Sequence, residues 1–120
     1  MDEKTTIAEL KLEVKKFCED RDWDRFHNPK DLAIGVVDEA CEILEHFRFR
    51  TEEECESYMH EPKKKTAIAD EIVDVLYMLL RFSQKYDIDL TSEFRRKMKE
   101  NALKYPIEKC KGKNNKYNEL

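Results

Sequence analysis

The sequence predicts an all-α protein, most simply a four-helix bundle. Only 2 Gly and 3 Pro occur in 120 residues, so few positions suit the tight turns that hairpins need. Charged residues make up 42% of the chain and hydrophobic residues 40%. Several segments repeat apolar residues every three or four positions, which is typical of amphipathic helices. No Pro/Gly/Ser-rich linker divides the chain, and we expect residues 1–120 to form a single domain.

Apolar spacing and terminal signals define four helices. The predicted helices cover about residues 7–20, 30–47, 66–86 and 92–105. Thr5 or Thr6 can cap the first, and Glu9 completes a capping box with Thr6. Thr91 is the expected cap of the last helix, which Pro106 stops.

The segments between these helices are predicted as connections. Residues 21–30 form a connector, because Asn28 precedes Pro29 and a residue before proline avoids the helical region. Residues 51–65 fit a short helix or a loop, and residues 106–120 are a Lys/Asn-rich tail. The tail either helps to close a phosphate site or frays.

Charge and cysteine usage exclude several classes of protein. The net charge of −4 and the pI of about 5.5 argue against a general nucleic-acid binder. No apolar run approaches the roughly 20 residues needed to span a membrane, and the N-terminus lacks the order of a signal peptide. The four cysteines form no CxxC pair, which favours free thiols in a reducing compartment. We therefore expect a cytoplasmic protein without a membrane or nucleic-acid partner.

Two acidic pairs are the candidate metal ligands. Glu39 and Glu42 lie three residues apart on the second helix, and Glu71 and Asp74 do so on the third. Such pairs share one helix face, with Cβ atoms about 5–6 Å apart. On facing helices they would surround a volume suited to Mg²⁺, which prefers oxygen ligands. A solvated acidic face is the alternative in a chain this rich in charge.

Helix periodicity gives the two pairs unequal support. Glu71 projects into the apolar arc of its helix with no Lys or Arg three or four residues away, and an isolated buried charge costs several kcal/mol. Glu39 falls just past the edge of its helix's apolar arc, and Glu42 lies further round with Asp38 and Glu45. A solvated helix face explains both residues. Gly35 lies on the side of Glu39. A glycine inside a helix costs about 0.5–1 kcal/mol relative to alanine, so Gly35 predicts close approach by another group.

Four ordered blocks carry a resemblance to a known family. They are Arg21-Asp-Trp-Asp-Arg-Phe-His-Asn-Pro-Lys-Asp-Leu32, Glu39-x-x-Glu42, Asp70-Glu-Ile-Val-Asp-Val-Leu76 and Lys97-Met-x-x-Asn101-x-x-x-Tyr105-Pro106. The ending Lys109-x-x-Gly112-x-x-x-Lys116-Tyr-x-Glu-Leu120 fits the same pattern. The chain resembles the MazG-like nucleotide pyrophosphohydrolases, especially the small branch related to dCTP pyrophosphatase.

The resemblance implies an all-α fold, assembly as a homodimer or homotetramer, and an enzymatic activity. The reaction would split a nucleoside triphosphate into monophosphate and diphosphate, with dCTP or a modified nucleotide as substrate, in nucleotide-pool cleansing. The implied ligands of Mg²⁺, or of Mn²⁺ as an alternative ion, are Glu39, Glu42, Glu71 and Asp74. One of these carboxylates would also orient or deprotonate the attacking water.

The resemblance also implies a nucleotide site. Trp23 would stack on the base, and His27 would hydrogen-bond to it or form a wall of the pocket. The alternatives are that Trp23 and Phe26 pack the connector against the bundle and that His27 is a surface or structural histidine. Asn101 matches a phosphate contact, and Lys97, Lys104 and Tyr105 are its expected neighbours.

Two positions depart from the dCTP-directed relatives, which leaves the base preference open. Phe49 stands where those relatives carry a second Trp. Met78 stands in place of a Tyr, with Tyr77 one residue earlier.

Two other functions remain open from the sequence. A non-catalytic helical adaptor that binds nucleotides or a protein would also explain the wide apolar arc of the second helix. Hydrolysis of a different pyrophosphate compound would use the same carboxylates.

Overall fold

The structure, a computed structural model, describes residues 1–120 and contains helices but no strand. The α-helices are α1 (Ile7–Asp20), α2 (Pro29–Phe47), α3 (Glu52–Tyr58), α4 (Pro62–Lys85), α5 (Leu90–Lys104) and α6 (Ile107–Cys110). Short 3₁₀ turns occur at Asp24–Phe26 and Tyr117–Glu119. The predicted all-α class is confirmed. The four long helices are those predicted, α3 is the short helix that residues 51–65 were expected to form as an alternative to a loop, and α6 is an addition.

The beginnings of α1 and α2 follow from their caps. The Thr6 side chain accepts a hydrogen bond from the Glu9 backbone N–H, and the Glu9 carboxylate accepts one from the Thr6 backbone, which confirms the predicted capping box. The Asn28 side chain accepts from the backbone N–H of Asp31. Pro29 then occupies the first turn of α2, where its missing N–H costs no hydrogen bond.

Two predicted boundaries are wrong, each for a local reason. Helix α4 begins at Pro62 rather than near residue 66, because proline fits the first helical turn and the following lysines continue the helix. The cap of α5 is Asp89 rather than Thr91, since the Asp89 carboxylate accepts from the backbone N–H of Ser92. Aspartate is one of the strongest N-cap residues, and it comes first along the chain.

The chain divides into two compact units, residues 1–87 and 88–120. In the first unit, α4 packs against both α1 and α2. The buried apolar side chains of this unit are Cys18, Leu32, Ile68 and Leu80, which come from α1, α2 and α4. Helix α4 is therefore the central helix of the unit, and any group on its α2 side lies at a helix–helix interface. One domain spanning residues 1–120 stays a prediction.

The second unit holds α5, α6 and the last 3₁₀ turn. The Tyr117 ring packs edge-on against Tyr105, with ring centroids 6.2 Å apart, and Lys104 Nζ lies 5.1 Å from the Tyr117 centroid. The Lys/Asn-rich tail thus contacts the end of α5 through Tyr117. No helix in either unit combines the length and apolar character required to cross a bilayer.

Candidate metal and nucleotide site

Helices α2 and α4 approach closely at Gly35. A Cβ atom at this position would clash with the Met78 methyl group and lie 3.3 Å from Met78 Sδ. A larger residue at this position would require the flexible end of Met78 to move. The predicted close approach at Gly35 is therefore confirmed, and Met78 is the residue that makes it.

One helical turn beyond Gly35, three carboxylates converge across the same interface. Glu39, Glu71 and Asp74 each offer an oxygen, and these oxygens lie within 4.8 Å of one another. Glu39 and Glu71 are half-buried, whereas Asp74 is exposed. Glu42 is exposed on α2 and is not part of this group, so its role as a fourth ligand stays a prediction.

The three carboxylates form a repulsive cluster. Partial burial, followed by the negative charges of Asp74, Asp38, Glu42 and Glu71, raises the pKa of Glu39 above its ordinary value. A hard divalent cation prefers carboxylate oxygens and would remove this repulsion. The donor set therefore fits the ion that the sequence predicts, with an exposed edge at Asp74 through which a phosphate could enter.

Glu71 has one neighbour that the sequence reasoning missed. His46 Nε2, on α2, lies 3.7 Å from Glu71 Oε1, and both side chains are about one-fifth exposed at 22% and 23%. This contact is an ion pair only when the imidazole is protonated. A signal was present, because His46 follows Glu39 by seven residues and so lies on the same face of α2.

Further along α4, Arg81 anchors the connector to the helix. Its side chain is 1% exposed and donates three hydrogen bonds: 2.7 Å to Asp24 Oδ1, 2.8 Å to His27 Nδ1 and 2.6 Å to Gln84 Oε1. Lys85 Nζ donates to the carbonyl oxygens of Asp24 and His27. Sequence reasoning did not single out Arg81, although an arginine among apolar residues of a central helix needs buried partners.

The charges of this network shift two pKa values. The hydrogen bond from Arg81, with the charge of Lys85, lowers the pKa of Asp24, although desolvation opposes the shift. Burial, followed by the charges of Arg81 and Lys85, lowers the pKa of His27. Asp24 is thus held as a carboxylate and His27 as a neutral imidazole at neutral pH.

The aromatic candidates lie on the α1 side of α4. Trp23 is 40% exposed, and its ring meets Phe17 edge-on at a centroid distance of 5.6 Å. Phe17 in turn meets Tyr77 edge-on at 5.9 Å, and Tyr77 Oη shares a 3.2 Å hydrogen bond with Cys18 Sγ. Burial, followed by the Cys18 contacts, raises the pKa of the Tyr77 phenol. Trp23 keeps a free surface for stacking, whereas the Tyr77 hydroxyl is engaged with α1.

Phe49 follows the end of α2 and is 91% exposed, with a left-handed φ of 62°. The Arg48 guanidinium carbon lies 4.7 Å from the Phe49 ring centroid. The role of Phe49 toward a base stays a prediction.

The predicted phosphate contacts belong to the second unit. Glu100 pairs there with Lys97 at 3.3 Å and with Lys104 at 3.9 Å. The hydrogen bond from Lys97 is the main cause that lowers the pKa of Glu100. Asn101 is half-buried beside Met98. The nucleotide contacts of Lys97, Asn101, Lys104 and Tyr105 stay predictions.

The model of the MazG-like family matches residues 36–120. The chain belongs to the MazG-like family. The match begins just before Glu39 and includes Glu42, Glu71 and Asp74, so the resemblance seen in the sequence is confirmed.

Named relatives and a solved structure extend this MazG-like assignment over most of the chain. The chain is 30% identical to dCTP pyrophosphatase 1 of Rattus norvegicus over 96% of its own length and 68% of that protein. The protein of the same name from Homo sapiens is also 30% identical, with the same coverage. A pyrophosphatase from Archaeoglobus fulgidus DSM 4304 matches in structure with a TM-score of 0.77 and 33% identity, covering 83% of this chain and 92% of that one. The all-α fold is therefore the fold of a known pyrophosphatase.

Proposed function

We propose that this MazG-like chain is a Mg²⁺-dependent pyrophosphohydrolase that converts dCTP, or a modified nucleoside triphosphate, into its monophosphate and diphosphate. Family membership and the pyrophosphatase relatives make the chain a nucleotide diphosphatase. The observation that carries the metal requirement is the convergence of Glu39, Glu71 and Asp74 within 4.8 Å.

The carboxylates of α2 and α4 would hold the ion. Glu39, Glu71 and Asp74 supply oxygens from both helices, and Glu42, one turn after Glu39, would complete the set by turning toward them. Bound Mg²⁺ would neutralise charge on the phosphates and make a water molecule more acidic. The same carboxylates would orient that water for attack on the α-phosphorus, which releases diphosphate. The exposed Asp74 keeps this end of the interface open to the substrate.

The connector would bind the base. Arg81 follows Asp74 by seven residues, which places it on the same face of α4 about 10 Å further along the helix axis. The distance between the base and the outer phosphates of a nucleoside triphosphate is similar to this separation. The base would stack on the exposed face of Trp23 beside His27. For Lys97, Asn101, Lys104 and Tyr105 the resemblance implies contacts to the phosphates.

The outer surface of α2 supports assembly into a homodimer or homotetramer. Ile34, Val37 and Leu44 are 55%, 64% and 61% exposed and share one face of the helix. Monomeric proteins rarely leave a contiguous apolar surface uncovered. The same surface also favours the second candidate, a non-catalytic adaptor that binds a protein through α2.

A substrate panel separates the two functions. Purified protein is mixed with each canonical dNTP, each NTP and a 5-modified dCTP, with Mg²⁺ or with a chelator, and both products are quantified. We expect Mg²⁺-dependent turnover, with the highest kcat/KM for a cytosine nucleotide. Binding of nucleotide without turnover of any substrate would favour the adaptor.

A further inference from the structure

Arg81 determines which nitrogen of His27 carries the ring proton. Arg81 Nε always bears a hydrogen and donates it to His27 Nδ1 at 2.8 Å. Nδ1 must therefore be an acceptor, and the neutral ring keeps its proton on Nε2. Partial burial and the neighbouring cations lower the pKa of His27, which favours this neutral form.

The guanidinium that imposes this tautomer is itself held in place. Arg81 is 1% exposed, and its two remaining hydrogen bonds go to Asp24 on the connector and to Gln84 on α4. Rotation of the guanidinium would leave a buried charge without partners, which is strongly unfavourable. The hydrogen bond from Arg81 to the His27 ring is not needed to hold the connector on α4, because Lys85 already bonds the connector backbone there.

We propose that Arg81 is a positioning residue that presents the Nε2–H of His27 as a hydrogen-bond donor to an acceptor atom on the nucleotide base. This inference rests on the proposed function. A neutral donor suits the carbonyl oxygen or ring nitrogen of a base, whereas a phosphate is better served by a cation. The separation of about 10 Å along α4 between Arg81 and Asp74 also places His27 at the base end of the substrate.

The tautomer can be read directly in the intact protein. A long-range ¹H–¹⁵N correlation spectrum of the full chain, without metal or nucleotide, should show His27 as a single Nε2–H tautomer. An Nδ1–H ring or an averaged mixture would overturn the proposal. The Arg81→Gln variant should shift His27 toward a mixture. Lys85→Gln is the matched control, because it loosens the connector backbone without touching the ring, and it should keep the Nε2–H tautomer.

Two substitutions of His27 test the donor even if Arg81→Gln does not fold. In His27→Gln the amide nitrogen can occupy the place of Nε2, whereas the amide of His27→Asn reaches only the place of Nδ1. We expect KM to stay within about threefold for His27→Gln and to rise about tenfold for His27→Asn, as for the loss of one hydrogen bond. The value of kcat should stay within about twofold, since this contact exists before and during reaction. Equal KM values for the two variants would contradict the assigned donor.

Inorganic tripolyphosphate distinguishes a base contact from a phosphate contact. Its inhibition constant in the presence of Mg²⁺ should be the same for the wild type and His27→Asn. Weaker inhibition of the variant would place His27 on the phosphates and overturn the base contact. Absence of all nucleotide hydrolysis by the wild type would sink the proposed function, whereas normal hydrolysis with an Nδ1–H tautomer would sink only the role of Arg81.

Discussion

His46 Nε2 lies 3.7 Å from Glu71 Oε1, across the interface between α2 and α4. This distance is close enough for an ion pair when the imidazole is protonated, and Glu71 also belongs to the three-carboxylate cluster. A proton on His46 and a divalent cation on the cluster are thus two ways of balancing the charge of one carboxylate. Glu71 is therefore the residue at which the metal site is tested most sharply.

Removal of the Glu71 charge should abolish turnover without unfolding the protein. We expect Glu71→Gln to lower kcat/KM at least about 100-fold, since a metal ligand is lost while its volume is kept. The metal-free variant should melt at the same or a higher temperature, because repulsion with Glu39 falls. Glu45→Gln is the control, since Glu45 is an exposed carboxylate of α2 that pairs with Arg48. Equal activity of the two variants would exclude Glu71 as a ligand.

Magnesium should stabilise the folded protein through the same residue. A ligand that binds only the native state adds about 2.7 kcal/mol to the free energy of unfolding at a hundredfold excess over Kd. Calorimetry with and without Mg²⁺ should therefore show a higher Tm for the wild type and for Glu45→Gln. A shift of the same size in Glu71→Gln would place the bound ion elsewhere.

The stacking surface of Trp23 should control substrate affinity. Stacking of a base on an aromatic side chain is worth about 1–3 kcal/mol, so Trp23→Ala should raise KM by roughly tenfold or more. Trp23→Phe should recover part of the loss. Phe26→Ala is a matched control on the connector, because Phe26 is also exposed, at 57%. If Phe26→Ala raises KM as much as Trp23→Ala, both residues act only by packing the connector.

The pKa of His27 predicts a specific dependence of stability on pH. Its folded pKa lies below the ordinary value of 6.5, so the unfolded chain binds the proton more readily. The contribution of His27 to stability is then complete above pH 6.5 and is lost as the pH falls through the folded pKa. The free energies of unfolding of the wild type and of His27→Gln, measured in urea across this pH range, should converge at low pH. A difference between the two proteins that does not change with pH would contradict the shift.

The contact between Gly35 and Met78 should appear as an energetic coupling. In Gly35→Ala the new methyl group meets the Met78 methyl, which must then move. The same change should cost less when Met78 is already alanine, and neighbouring residues of this kind couple by about 0.5–3 kcal/mol. A double-mutant cycle of unfolding free energies measures this. Strict additivity would mean that the residues at positions 35 and 78 do not contact each other.

Local signals in the sequence were sufficient for most of the fold. Thr6 and Glu9 form the predicted capping box because both partners lie within one helical turn. Gly35 indicated a close approach because a glycine inside a helix is unfavourable unless another group needs the space. The cap of α5 was misplaced because Asp89 and Thr91 are both acceptable caps two residues apart. Hydrophobic spacing decides that a helix exists more reliably than it decides where the helix begins.

Only those residues of the site that share a helix face could be predicted from the sequence. Periodicity placed Glu71 on an apolar face, and the structure brings it to Glu39 and Asp74. The hydrogen bond from Arg81 to His27 joins residues 54 positions apart, and no local spacing encodes it. Contacts of this kind depend on how the connector folds back onto α4, which only the tertiary structure reveals.

Product analysis with dCTP shows which phosphoanhydride bond is cleaved and whether cleavage needs Glu71. Wild type and Glu71→Gln are incubated with dCTP and Mg²⁺, and dCMP, dCDP, diphosphate and orthophosphate are quantified over time. We predict that the wild type forms dCMP and diphosphate in equal amounts and that Glu71→Gln forms neither. Release of orthophosphate with dCDP would contradict cleavage between the α and β phosphates, and equal turnover by both proteins would contradict the role of Glu71 as a metal ligand.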